Sequence, residues 1–324
     1  MKAVRADRLD SVADYALIDL PTPDPGAGEV RIKVAACGVG YVDALVSLGR
    51  YQVKPPLPHV PGSEIAGVVD AVGEGVEGFA AGDRVMAQVA GGFAQFAVTK
   101  AGAVVRLPDR MSFEEACGFR INYLTALHGL RDRARLQPGE RLLVSGAAGG
   151  VGLAAIQVGK TLGATVIACA STPEKRAYAE AAGADRVIDS LAEGWRDRLK
   201  AATDGAGINV HFDPVCGPLF EAAFRSLAWG GRHLVVGFVG GPIPALPANL
   251  TLMKGAGLIG VDVRQYQLYE AAHARAALDE LLGWVAEGRF SPPVGRRFGL
   301  EGYTEALQFA MSGQGLGKTV LMVE

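Results

Sequence analysis

One stretch limits the fold of this chain more than any other, the run from Arg141 to Lys175. Leu142–Val144 is a short apolar run. Gly146-Ala147-Ala148-Gly149-Gly150-Val151-Gly152 follows, then an apolar helical segment from about Val151 to Leu162, then a second apolar run from Thr165 to Ala170. Strand, glycine turn, helix, strand is the setting in which a glycine-rich loop marks a dinucleotide site. A pyrophosphate needs backbone N–H groups, and a helix N-terminus offers them unpaired, with the positive end of its dipole behind them. A side chain on the turn would hold the phosphate away, which glycine avoids. Gly149, Gly150 and Gly152 answer that need, although the first glycine of the usual G-x-G-x-x-G frame is Ala147 here. Alanine–glycine runs also occur where a helix packs closely on a sheet. The flanking strand and helix favour the dinucleotide.

The end of the second apolar run speaks to which dinucleotide. A site for NAD carries Asp or Glu there to accept the ribose hydroxyls. This run ends Cys169-Ala170-Ser171-Thr172, without an acid, and Lys175 and Arg176 follow at once. A neutral strand end beside cations suits a 2′-phosphate, so the expected cofactor is NADPH. Thr172-Pro173-Glu174-Lys175 reads equally as a helix start, with Thr172 as N-cap and Pro173 at the first position. The two readings are compatible, because a helix N-terminus is itself a phosphate site.

A chain of 324 residues predicts about two domains. A net charge of −2 offers no general attraction for nucleic acid or acidic membranes. Cys37, Cys117, Cys169 and Cys216 are far apart and form no C-x-x-C pair, which fits reduced thiols in a cytoplasmic protein. The N-terminus has no apolar signal core. The most apolar region, Leu142–Ala170, is broken by glycines, Gln157 and Lys160, so no membrane span is expected.

Residues 1–110 read as β-rich. Val30–Ala36 alternates apolar and charged residues, Ile65–Val72 and Phe93–Val98 are further strands, and Ala81-Gly82-Asp83-Arg84-Val85-Met86-Ala87 is a turn entering another. Short strands at this spacing predict a barrel-like β domain. Ser112-Phe113-Glu114-Glu115 opens a helix as a capping box. From Gly139 strands alternate with helices. Further strands are expected at Arg186–Ile188, Ile208–Phe212, Arg232–Val236 and Leu258–Val263, with helices at about Leu191–Ala202 and Pro218–Ala228. Tyr266 to Glu287 is expected as the last helix, and Thr319–Val323 as a closing strand. Six strands with right-handed crossovers make a doubly wound sheet, whose ligand crevice lies beyond the strands' carboxyl ends.

In this order the chain resembles the medium-chain dehydrogenase/reductase superfamily, and within it the zinc-free NADPH:quinone oxidoreductase family. The resemblance rests on Pro61-Gly62-Ser63-Glu64-Ile65-Ala66-Gly67, Gly78-Phe79-Ala80-Ala81-Gly82-Asp83-Arg84-Val85, Asn122-Tyr123-Leu124-Thr125-Ala126, the glycine turn and Gly317-Lys318-Thr319-Val320. It implies an α/β chain, with a GroES-like β-barrel catalytic domain from residues 1–119 and 290–324. Residues 120–289 would form a doubly wound Rossmann NADPH-binding domain with a six-stranded parallel sheet. It also implies a cleft between the domains and a homodimer paired through the sixth strands.

Carried over residue by residue, the expected cofactor contacts are Thr125, Gly149, Gly150, Val151, Ser171, Lys175, Phe238 and Lys318. Each side chain also has a plainer reading: Thr125 as a helix cap, Ser171 as a turn residue, Phe238 as core and Lys318 as a surface lysine. Zinc members of the superfamily carry Cys and His where this chain has Gly40 and Ser63, so no metal is expected. Quinone reductases commonly have Asn at the position of Gly40, so one polar contact is missing. Asp43 is expected to stabilise its loop, and none of the five histidines stands in ligand spacing.

The resemblance implies hydride transfer from NADPH to a quinone or an α,β-unsaturated carbonyl compound. Negative charge then develops on a carbonyl oxygen, and one donor there is worth ~2.7–4 kcal/mol by the oxyanion-hole precedent. Tyr51 is the candidate donor, with backbone N–H groups as competitors, and reads equally as a cleft aromatic that only packs against substrate; Tyr41 is a further expected cleft residue, with packing as its plainer reading. Other readings are an enoyl-CoA or acryloyl-CoA reductase and a non-catalytic, crystallin-like NADPH-binding protein.

Overall fold

The computed structural model describes residues 1–323. The chain divides into two units, Met1–Arg120 with Val285–Glu324 and Ile121–Trp284.

The second unit is built on a six-stranded parallel sheet. In chain order its strands are Arg141–Ser145, Thr165–Ala170, Arg186–Asp189, Ile208–Asp213, Leu227–Val235 and Gly257–Gly260. In space they run third, second, first, fourth, fifth, sixth. The strand order therefore reverses beside Arg141–Ser145, at the strand that feeds the glycine turn. Helices cover both faces of such a sheet, so its central strands are apolar without alternation. Leu142, Leu143 and Val144 are fully buried, as are Val166, Ile167 and Ala168. The helix Gly150–Thr161 adds Leu153, Ala154, Ala155, Ile156 and Val158 to the same core.

In the first unit the 11-residue strand Glu29–Val39 carries the sheet. It pairs antiparallel with Glu64–Val72, with Phe96–Lys100 and with the C-terminal strand Lys318–Met322. The last pairing sets Thr319 against Val39 and Leu321 against Cys37. The start of the C-terminal strand is thereby placed beside the start of the helix Tyr41–Ser47. Val30, Ile32, Val34, Ile65, Val85 and Leu321 form the centre of this core.

Two expectations are corrected. The segment expected as one helix from Tyr266 to Glu287 is two helices, Val263–Tyr269 and Ala271–Ala286, broken at Glu270 (φ −126°, ψ 43°). The first of them starts early because the Asp262 side chain accepts the N–H groups of Arg264 and Gln265. Nor is the pair the last helix: Tyr303–Met311 follows, entered from Gly302 without a side-chain cap, so the sequence carries no start signal for it.

Candidate active site

The glycine turn begins at the end of the Arg141–Ser145 strand. Gly146 has φ 59°, a left-handed conformation that favours glycine. The chain folds back so that the Gly149 N–H donates to the Gly146 carbonyl, and the helix then starts with Gly149 as its N-cap. That cap has no side chain to satisfy the first N–H groups of the 12-residue helix. The three glycines do different work. A Cβ on Gly152 would stand 2.4 Å from the Gly146 carbonyl oxygen, and one on Gly150 would stand 2.6 Å from Asn122 Nδ2. Gly152 lets the turn close on itself, and Gly150 lets the helix start approach Asn122. A Cβ on Gly149 would meet only the Gly146 oxygen, at 3.4 Å, so Gly149 presents open backbone. An uncapped helix start with open backbone can receive a phosphate.

The neighbouring strand ends at Ala170. Thr172 caps the helix Pro173–Ala181 by accepting the Lys175 N–H, and Pro173 occupies its first turn. Lys175 Nζ reaches Ser171 Oγ at 3.4 Å, while Arg176 donates to the Ala170 carbonyl at 3.2 Å. The expected pair, Ser171 and Lys175, thus stands together on an exposed strand end. The acid of the next strand, Asp189, pairs with Arg198 at 2.8 Å and accepts the Leu191 N–H. Thr125 lies buried within the helix Phe119–Leu127 and donates to the Ile121 carbonyl at 2.6 Å. Phe238 is 43% exposed, so it is not a core residue. It follows the fifth strand, in a segment tied to the exit of the fourth through the Gly240 N–H and the Val215 carbonyl.

Beneath the turn lies a polar group of side chains that the sequence reading missed. The parallel register sets His211 directly beside His233, although they are far apart in sequence. With Asp213 they bring one ligand-type atom each to within 4.8 Å of one another. The expectation that no histidine stands in ligand spacing is corrected on this point. The alternation His211-Phe212-Asp213 was the available signal, since residues two apart in a strand share a face. The group is knit by hydrogen bonds. Ser145 Oγ lies 2.8 Å from His211 Nε2, and His233 Nε2 lies 3.1 Å from Asp213 Oδ2. The other carboxylate oxygen accepts the Val215 and Cys216 N–H groups. Burial, helped by His233, pushes His211 down to about 3. Burial pushes the Asp213 carboxyl up, but the two histidines and the Cys216 N–H outweigh it and hold it below the ordinary range. Ser145 directly precedes Gly146, so this buried group fixes both the root of the glycine turn and the exit of the fourth strand.

The first unit holds the positions where zinc ligands would stand. Gly40 has no side chain to offer. Ser63 donates to Asp43 Oδ1 at 2.8 Å, and Asp43 Oδ2 accepts the Gly40 N–H at 2.8 Å. Asp43 therefore caps the helix Tyr41–Ser47 and ties it to Ser63, the loop-stabilising role expected of it. Lys318, expected as a cofactor contact, runs inside this unit and pairs with the buried Glu64 at 3.5 Å. A glycine, a hydrogen-bonded serine and an ammonium group do not fit a zinc ion. Tyr41 opens the capped helix and Tyr51 follows shortly after it; both are half-buried.

These features can be set beside known proteins. Residues 26–109 match the family model "alcohol dehydrogenase GroES-like domain", and residues 150–278 match "zinc-binding dehydrogenase". A quinone oxidoreductase-like protein 2 homolog of Nematostella vectensis is 35% identical over 303 residues, covering 93% of this chain and 83% of that one. The chain belongs to the quinone oxidoreductase family of the medium-chain dehydrogenase/reductases. A family structure, the quinone oxidoreductase of Thermus thermophilus, solved also in complex with NADPH, superimposes with a TM-score of 0.85 at 33% identity. The match covers 99% of this chain and 100% of that one. A structure described as an NAD-dependent alcohol dehydrogenase superimposes with a TM-score of 0.92 at 30% identity, over the whole of both chains. The GroES-like and Rossmann architecture is thus shared by both neighbours, whose descriptions name different cofactors.

Proposed function

We propose that this member of the family transfers hydride from NADPH to quinones or α,β-unsaturated carbonyl compounds, without a metal. The observation that carries the reading is the pairing of an uncapped, open-backboned helix start at Gly149 with an acid-free strand end bearing Ser171 and Lys175. Gly149, Gly150 and Val151 would hold the pyrophosphate, and Ser171 and Lys175 the 2′-phosphate. Thr125 and Phe238 would contact the rest of the cofactor, as would Lys318. The bound nicotinamide supplies the hydride. The chain's own part is to orient it, to keep water away and to offer a donor to the acceptor's carbonyl oxygen. Tyr51 is a proposed donor and Tyr41 a proposed lining residue. The ion-paired Lys318 and the hydrogen-bonded Ser63 support the metal-free part of the reading.

A homodimer is also proposed. The strand Gly257–Gly260 is the last of its sheet and pairs on one side with Leu227–Val235. Beside it Trp229, Leu252 and Met253 are exposed, with the Trp229 ring against Gly255.

The test is a screen of quinones, enones and enoyl-CoA thioesters with NADPH and with NADH, followed by product identification. Oxidation of NADPH on mixing with quinones or enones is expected. Tight NADPH binding with no turnover across the panel would instead identify a binding protein. Stoichiometric zinc, retained on dialysis and required for turnover, would overturn the metal-free reading.

A further inference from the structure

Lys318 has an unusual bed. A Cβ on Gly38 would stand 2.7 Å from Lys318 Cε, and one on Gly118 would stand 2.4 Å from Lys318 Cγ. Gly118, and Gly38 beside the still closer Cys117 carbonyl, therefore leave room that the lysine stem fills. At its end a Cβ on Gly40 would meet just two atoms, Lys318 Nζ and Asp43 Oδ2, each at 3.3 Å. Apart from the chain neighbours of Gly40, no other atom lies within 4 Å of that position. It is a niche with an ammonium and a carboxylate for its floor, beside the half-buried Asp43 and the exposed Ser63. Burying a lysine is costly unless it is paired, and Glu64 provides that pairing. An ammonium has three donor hydrogens, however, and the carboxylate stands on one side of it.

We infer that the niche over Gly40 is a binding site for the acceptor's carbonyl oxygen, and that Lys318 is its cationic hydrogen-bond donor. This rests on the proposed function and names the residue that recognises the acceptor. An oxygen in van der Waals contact with the Gly40 Cα, on the side to which a Cβ would point, would face the Lys318 ammonium. As negative charge grows on that oxygen, a fixed ammonium strengthens its hold without rearrangement. Burial lowers the lysine's pKa, but the carboxylates of Glu64 and Asp43 raise it by more, so the donor stays protonated. Asp43 opposes an anion in the niche, though its charge is partly answered by the Gly40 N–H and the Ser63 hydroxyl.

The probe is lawsone, a hydroxynaphthoquinone that is a coloured anion at neutral pH, compared with neutral menadione. Binding is read from the absorbance shift without cofactor and again with each variant saturated by NADP⁺, so that no turnover is needed and a weakened cofactor contact does not mimic a lost acceptor site. The principal variant is Lys318→Met with Glu64→Gln, which removes both charges and leaves no buried carboxylate unpaired. It is compared with Glu64→Gln alone, and folding is checked by circular dichroism and Tm.

The double variant should bind lawsone roughly tenfold to a hundredfold more weakly than Glu64→Gln, with menadione affected much less. Asp43→Asn should tighten lawsone. Equal lawsone affinity in the folded double variant would overturn the assignment, as would an absence of lawsone binding to the unaltered protein. If the unaltered protein reduces no acceptor and yet holds lawsone through Lys318, the site stands and only the reductase reading falls.

Discussion

Gly149 and Gly152 stand three residues apart and obey different constraints, which single substitutions can separate. Gly152→Ala drives a methyl group into the Gly146 carbonyl oxygen, a backbone atom that cannot turn aside. We expect it to destabilise the protein by about 1–3 kcal/mol, read from the urea midpoint. Gly149→Ala has room in the folded chain and should leave that midpoint nearly unchanged while weakening NADPH binding. A large loss of stability from Gly149→Ala would contradict this division. At the neighbouring strand end, Lys175→Ala should raise the KM for NADPH by about tenfold, the worth of a charge-assisted hydrogen bond, and barely alter that for NADH. Equal losses with both cofactors would remove Lys175 from the 2′-phosphate. The turn and this strand end were legible because their logic is local: glycines, a neutral strand end and cations lie within a few dozen residues. The surroundings of Lys318 were not, because Gly38, Gly118 and Glu64 come from three separate segments and the room for its stem exists only once the sheet has formed.

Among the elements, the fourth and fifth strands of the parallel sheet carry the clearest pH dependence. His211 is held neutral by burial, with a folded pKa of about 3, whereas an exposed histidine titrates near 6.5. Below roughly pH 6.5 the unfolded chain therefore binds a proton that the folded chain refuses. Its contribution to stability is complete above that pH and is lost as the pH falls toward about 3, by up to about 1.4 kcal/mol per pH unit. Denaturant melts at pH 7, 6 and 5 should show this fall, and His211→Gln should flatten it. An unchanged slope in the variant would mean that other groups dominate. Sequence patterns located both strands, although the fifth starts at Leu227, five residues ahead of the expected Arg232, because Trp229-Gly230-Gly231 breaks its apolar pattern. Their polar cargo was hidden, since pairing His211 with His233 requires a register that no local pattern reveals. The helices were harder: nothing in the apolar periodicity marks the break at Glu270, and Tyr303–Met311 lacks a capping residue to mark its start.

For the molecule as a whole, the open edge at Gly257–Gly260 bears on assembly. If two copies join there, Leu258→Lys should shift the protein from dimer to monomer in sedimentation, with the fold preserved. A dimer that survives it would direct attention to another surface. The cysteines have a different bearing. All four are buried, and burial raises Cys169 to about 11, Cys216 to about 12, and Cys37 and Cys117 beyond the ordinary range. Quinones and enones are Michael acceptors, which arylate or alkylate any thiolate they can reach. With its sulfur chemistry shut away, this chain can meet such compounds without being consumed by them. Intact mass after prolonged exposure to excess menadione should show no adduct, so that a loss of turnover in long assays would have to be traced to something other than self-inactivation.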